Sequence, residues 1–171
     1  MTTRPLTPDL AATVAQNLRP RDLAETLATL PADLSVTEWA RSLSKNPNGS
    51  AWAALAPDGT PVAMGGVYLS HPAMPHLATS WAVGTQRKYE VGAHIYMAAA
   101  RLHKEYIAKG VLKFQCMCLN VEEYEESSEW LQRLGYHLEG KLAGHGRGGE
   151  TFWLWGCRAA NAVPAQVTNA R

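Results

Sequence analysis

The stretch Trp130-Leu131-Gln132-Arg133-Leu134-Gly135-Tyr136-His137-Leu138-Glu139-Gly140-Lys141-Leu142, with Glu150-Thr151-Phe152-Trp153-Leu154-Trp155 after a glycine-rich loop, decides how this chain is read. A helix ends at Gly135 and the chain turns into a strand over 136–142. A hairpin loop follows, then a second strand rich in aromatics over 150–157. The loop Gly144-His145-Gly146-Arg147-Gly148-Gly149 has the look of a phosphate loop. It precedes a strand and not a helix, so no helix dipole backs it, and it reads as a flexible hairpin loop. In the aromatic strand Trp153 and Trp155 share one face while Phe152 and Leu154 share the other. Two apolar faces fit a strand covered on both sides. They also fit a partner interface anchored on Trp153 and Trp155.

Upstream, Glu122–Leu134 reads as a helix that opens on Glu122, Glu123, Glu125 and Glu126, acidic residues placed at its positive end. Lys113–Leu119 reads as a strand. Tyr89–Lys109 is the longest helix. Val91, Ile95, Ala98, Ala99, Leu102 and Tyr106 fall on one face, and Gly110 ends it. Leu77–Val83 reads as a strand after a loop at His71–His76. Ala51–Ala56 and Pro61–Leu69 flank Pro57-Asp58-Gly59-Thr60, a strong hairpin signal. Ser35-Val36-Thr37-Glu38 is a capping box opening a helix with an apolar stripe of Val36, Trp39, Ala40 and Leu43. Before it, Arg21–Leu27 reads as a helix with Leu23, Leu27 and Leu30 at helical spacing, stopped by Pro31. Val14–Leu18 reads as a short first strand. Residues 1–12 are expected to form an arm, 13–158 one domain, and 159–171 a small, polar tail. The order predicts an α+β (mixed α/β) domain, a single twisted sheet of about six to seven strands flanked by about four helices.

With 171 residues, 46% of them hydrophobic, the chain is long enough for one domain with a sizeable core. A net charge of +1 supplies no field that would pull it to nucleic acid or an anionic membrane. Apolar runs fall far short of the ~20 residues of a membrane span. The start lacks the apolar core of a signal peptide, so a cytoplasmic origin is expected. Three cysteines, Cys116, Cys118 and Cys157, are an odd count that reads as free thiols. Cys-x-Cys is not zinc spacing, and no pair of histidines lies one helical turn apart, so no metal is expected.

The Leu134-Gly135-Tyr136 junction, together with the element order over residues 13–158 and the opening Asn17-Leu18-Arg19-Pro20-x-Asp22, resembles the GNAT superfamily of N-acetyltransferases. The resemblance implies a cleft where the fourth strand splays from the fifth, holding acetyl-CoA. It also implies an Arg/Gln-x-x-Gly-x-Gly/Ala loop opening the long helix, whose amides take the pyrophosphate. Here that stretch is Gly84-Thr85-Gln86-Arg87-Lys88-Tyr89-Glu90-Val91-Gly92-Ala93. Val83, Gln86, Arg87, Lys88 and Gly92 are the cofactor-binding candidates. In one register Tyr89 and Val91 stand where small residues belong; in another Glu90 aims a carboxylate at the phosphates. Arg87 and Lys88 can still attract an anion. The expectation is weak or no acetyl-CoA binding.

The tyrosine that often protonates the leaving thiolate in this superfamily is replaced by Leu131, which has no proton to give. Tyr124 lies two turns earlier on the same helix. Bases are open: His94, Glu90, His103 and Glu105 on the long helix, His137 on a strand, and His71 and His76 in a loop. Tyr124, His94 and Glu90 are the catalytic candidates. Two readings follow. The early Arg-Pro, the basic helix Arg87–Lys109 and the pattern Trp-Leu-x-x-Leu-Gly-Tyr…Gly…Glu-x-Phe-x-Leu resemble GNAT-like virion-associated proteins of T7-like phages. That resemblance implies a non-catalytic structural role in the head–tail region, with other virion proteins or a second copy as partners, no cofactor, and a virion location after synthesis in the host cytoplasm. The alternative is an active acetyl-CoA-dependent N-acetyltransferase acting on a small-molecule or protein amine in the cytoplasm.

Overall fold

The computed structural model describes residues 3–119 and 125–161. They form one seven-stranded sheet in the order β1-β2-β3-β4-β5-β7-β6. The strands are β1 (Thr3–Pro5), β2 (Gly49–Leu55), β3 (Pro61–Leu69), β4 (Leu77–Gly84), β5 (Lys113–Leu119), β6 (His137–Leu142) and β7 (Phe152–Arg158). The helices are α1 (Pro8–Gln16), α2 (Pro20–Thr29), α3 (Val36–Leu43), α4 (Gly92–Ala108) and α5 (Glu125–Arg133). Among the described residues no helix is long and apolar enough to cross a membrane.

Local chemistry explains most of the elements. Asp58 accepts from the Thr60 amide at 2.9 Å, and Gly59 takes φ 85°, so the β2–β3 hairpin closes where the sequence places it. The Ser35 hydroxyl accepts from the Glu38 amide and the Glu38 carboxylate accepts from the Ser35 amide, completing the capping box of α3. At the end of α5, Gly135 adopts φ 88° and the Tyr136 amide reaches back to the Leu131 carbonyl at 3.0 Å. The helix therefore stops there and the chain leaves directly into β6.

The N-terminal segment departs from the expectation. Residues 3–5, read as part of an arm, pair with β2, and Val14–Leu18, read as a strand, lies largely in α1. Thr7 caps that helix, Pro8 sits at its first turn, and Ala11, Ala12, Val14 and Ala15 are buried. The long helix also begins later than Tyr89: a 3-10 helix at Gln86–Val91 precedes it, and α4 proper starts at Gly92.

The sheet has two covered faces. On one, α4 and α5 pack over Val62, Val67, Phe114, Tyr136 and Trp155. On the other, α1 and α3 pack over Ala53 and Met64, with Trp39 edge-on to Trp81 at 6.4 Å. The strand Phe152–Arg158 runs between β5 and β6. Its Trp155 is 7% exposed and belongs to the core, not to a partner-facing surface. Trp153 is half-buried with the Lys141 ammonium 4.4 Å above its ring.

One joint in the sheet is different in kind. All neighbouring strands are antiparallel except β4 and β5, which run parallel and pair only at Leu77–Lys113, Ala78–Phe114 and Thr79–Gln115. Beyond Thr79, β4 continues to Gly84, and beyond Gln115, β5 continues to Leu119. The two strands part there and open a cleft in the sheet.

Candidate functional site

A cavity of about 600 Å³ occupies this cleft. At its vertex, one residue past the last β4–β5 pair, stands Ser80. Its Oγ lies 3.1 Å from His103 Nε2 on α4 and accepts from the Tyr136 hydroxyl at 2.8 Å. Tyr136 Oη is itself 3.1 Å from His103 Nε2, so the three polar atoms form a triangle. The His103 ring lies against Phe114, 4.3 Å between centroids, and is 1% exposed. Burial lowers its pKa to about 4, so it is neutral at pH 7. Burial likewise pushes the Tyr136 phenol well above its ordinary value, and it stays protonated. Cys116, across the vertex on β5, is held as a thiol by its hydrogen bond with Cys118 and by burial.

The open end of the cleft is spanned by α2. Asp22 accepts from the Gly84 amide at the end of β4 at 2.7 Å, and Glu25 accepts from the Leu119 amide at the end of β5 at 3.0 Å. Two carboxylates one turn apart thus hold the two diverging strands. Asp22 is also paired with Arg19 Nε at 2.8 Å, both side chains being buried, and Arg19 Nη1 donates to the Tyr89 hydroxyl at 2.9 Å. Burial raises the Glu25 carboxyl, against the pull of the Leu119 amide. This use explains why Asp22 and Thr26 are buried on α2 beside Ala28 and Leu30, while Leu27 of the expected Leu23–Leu27–Leu30 stripe is 41% exposed. The β6–β7 loop closes over the end of α2, where the Arg147 amide donates to the Ala28 carbonyl at 2.7 Å.

The entrance to α4 is where the resemblance read from the sequence implies a diphosphate site, and there the amides of Arg87, Lys88 and Gly92 and the Arg87 guanidinium already have partners. The Arg87 amide donates to Thr85 Oγ1 at 3.1 Å, the Lys88 amide to the Thr85 carbonyl at 3.2 Å, and the Gly92 amide to the Tyr89 carbonyl. The 3-10 turn thereby spends on itself the amides of Arg87, Lys88 and Gly92, which a nest would turn outward. The Arg87 guanidinium grips Glu90 with two bonds, 2.7 and 2.9 Å, and Asp58 with a third at 2.9 Å. Asp58 is drawn down to about 2, chiefly by the Thr60 amide and hydroxyl and then by Arg87. The Arg87 bonds also lower Glu90, and the two carboxylates raise Arg87.

Among the candidates read from the sequence, Val83, Lys88 and Gly92 line the cavity. Gln86 and Arg87 are exposed, and Arg87 is committed to its two carboxylates. Glu90, taken as a base candidate, is instead the partner of Arg87. His94 is exposed on the first turn of α4, away from the Ser80 vertex. Tyr124 lies outside the described residues. The sequence reading named Tyr136 and Asp22 only for the family resemblance, not as site residues, and did not single out Ser80 or Glu25. His103 appeared only as one histidine among several, although its place beside Leu102 and Tyr106 on the apolar side of the long helix was the available sign.

No family model matches the sequence, and no curated protein does. Solved structures do share its shape. A GNAT superfamily phosphinothricin acetyltransferase from Sinorhizobium meliloti, in complex with AcCoA, superposes with a TM-score of 0.70 at 15% identity, covering 99% of this chain and 95% of that one. An aminoglycoside 6'-acetyltransferase type Ii gives 0.66 at 16% identity over 93% of this chain and 97% of that one. A ribosomal-protein-S5-alanine acetyltransferase from Vibrio fischeri gives 0.64 at 14% identity over 95% and 94%. A mixed α+β chain with one seven-stranded sheet opened between β4 and β5 thus has the fold of the GNAT acetyltransferases.

Proposed function

We propose that the chain binds an acyl-CoA thioester in the cleft between β4 and β5 and passes its acyl group to an amine, with low affinity because the nucleotide end is poorly held. The observation that carries this reading is the cleft itself: parallel strands parting at Thr79, a cavity of about 600 Å³, and a hydroxyl cluster at the vertex. The freed edge of β4 offers main-chain groups to an extended pantetheine arm, as a neighbouring strand would. Bound acyl-CoA supplies an activated acyl group. Val83 and Ser80 border its path in the cleft, and Lys88 and Gly92 border it at the mouth. At the vertex, Leu131 offers no proton where the superfamily often has a tyrosine; Tyr136, protonated at every physiological pH, is the nearby hydroxyl.

A second reading, a non-catalytic component of a phage particle, draws on the closed α4 entrance and on the sequence resemblance to virion-associated proteins. One titration separates the two. Millimolar acetyl-CoA is expected to raise Tm by about 2–5 °C, the shift for a ligand present at several times a weak Kd in a domain of this size. No shift, with the protein co-sedimenting with particles, would favour the second reading.

A further inference from the structure

The geometry points to Ser80 as the side-chain donor to the carbonyl oxygen of the bound acyl group, with Tyr136 and His103 as the positioning residues that aim its proton. This rests on the acyl-thioester reading above.

The proton count in the triangle leads there. His103 is buried, and its Nδ1 has no hydrogen-bond partner. A buried N–H without an acceptor is rarer and costlier than a buried lone pair without a donor. Nδ1 therefore carries the lone pair and Nε2 the proton. Nε2–H faces Tyr136 Oη and Ser80 Oγ, both at 3.1 Å. The Tyr136 hydroxyl donates to Ser80 Oγ at 2.8 Å. Ser80 Oγ thus accepts the Tyr136 proton and shares the Nε2 proton with Tyr136 Oη, so both donors lie on its lone-pair side, while its Cβ takes a third direction. The remaining tetrahedral direction holds Ser80's own proton, and it points away from both donors. Ser80 is half-buried and lines the cavity, so that direction is the cleft. Each donor behind it polarises the next, which makes the terminal O–H a better donor than a lone serine.

The location selects the ligand atom. Ser80 follows directly on Thr79, where pairing ends. A thioester threaded between the strands is bulky and charged at its nucleotide end and slim at its acyl end. Only the acyl end reaches the vertex, and the polar atom it brings is the carbonyl oxygen. A donor fixed there orients the thioester and favours negative charge on that oxygen.

Calorimetric titration with acetyl-CoA and with CoA, the same ligand without the acyl group, tests this without any acceptor. Ser80→Ala is expected to weaken acetyl-CoA about 3- to 10-fold, the size of one hydrogen bond, and to leave CoA unchanged. Ser80→Thr, which keeps the hydroxyl, restores acetyl-CoA binding. Tyr136→Phe weakens acetyl-CoA in the same direction by a smaller factor. The inference is overturned if Ser80→Ala binds acetyl-CoA as the unaltered protein does, or if it loses both ligands equally. If Ser80→Ala does not fold, the Tyr136→Phe and Ser80→Thr titrations decide by the same criterion. An unaltered protein that binds neither ligand overturns the acyl-thioester reading, and this inference falls with it.

Discussion

His103 shows what a single residue demands of this fold. Its ring lies between Phe114 and Tyr136, and only Nε2 has polar company. A proton on it would be an unpaired buried charge, which is why its pKa sits at about 4 in the folded chain instead of the ordinary 6.5. Between those two values the unfolded chain takes up a proton that the folded chain refuses. The stabilisation is complete above pH 6.5, declines as the pH falls, and is gone below about 4; in size it is ~3 kcal/mol. Glu25 works the other way, because burial raises its carboxyl and the folded chain accepts that proton before the unfolded chain does. Denaturant midpoints measured from pH 7 down to pH 5 are expected to fall, and to fall less steeply for His103→Asn. Parallel curves for the two proteins would show that His103 does not refuse its proton. The Arg19–Asp22 pair meets burial differently: each charge has a charged partner, and Asp22 also has the Gly84 amide.

At the scale of elements, the α5–β6 junction matters most, because it sets Tyr136 into the cluster. Gly135 holds φ 88°, and a Cβ there would collide with the main-chain carbonyl of Asn161. Gly110, ending the long helix, holds φ 95° with open space around it. Gly110→Ala is therefore expected to cost only the left-handed backbone, about 1–2 kcal/mol, while Gly135→Ala costs that and the collision. Urea unfolding compares them directly; equal losses would mean that the Asn161 contact gives way without cost. This junction was legible in the sequence, as were the hairpin at Asp58-Gly59 and the capping box at Ser35–Glu38, because each is encoded within a few residues. The N-terminus was misread because Ala11, Ala12, Val14 and Ala15 form too short and small a pattern to separate strand from helix; Thr7 and Pro8 were the better signals. The α2 stripe fails at Leu27 because that helix covers a cleft and turns Asp22 and Glu25 inward, while Leu30 is buried as expected. Ser80, His103 and Tyr136 come from a strand, a helix and a post-helix turn that meet only in three dimensions, so no local pattern joins them.

For the molecule as a whole, the question is how an anion would approach the cleft. Arg87 and Lys88 bring two positive charges to the entrance of α4, and Glu90 and Asp58 return two negative ones, the last from the β2–β3 turn on another part of the sheet. The mouth is thus electrically balanced, on a chain whose net charge is only +1. Among the described residues these four charges leave no net field to steer a diphosphate, and the Arg87 fork is already filled. The pairs are exposed, so they contribute little to folding and can be removed without unfolding the domain. Asp58→Asn keeps an oxygen for the Thr60 amide and so preserves the turn. Combined with Glu90→Gln, it frees the Arg87 guanidinium at the mouth. The double variant is expected to bind acetyl-CoA about 3- to 10-fold more tightly at low salt, with the gain shrinking as ionic strength rises through the range where the Debye length falls to ~10 Å. The unaltered protein should show little salt dependence. Calorimetric titrations of both proteins at low and high salt measure the difference. An unchanged affinity in the double variant would mean that the phosphates do not pass Arg87, and the low affinity proposed for this cleft would then have to arise from the 3-10 turn alone, whose amides are spent on Thr85 and Tyr89.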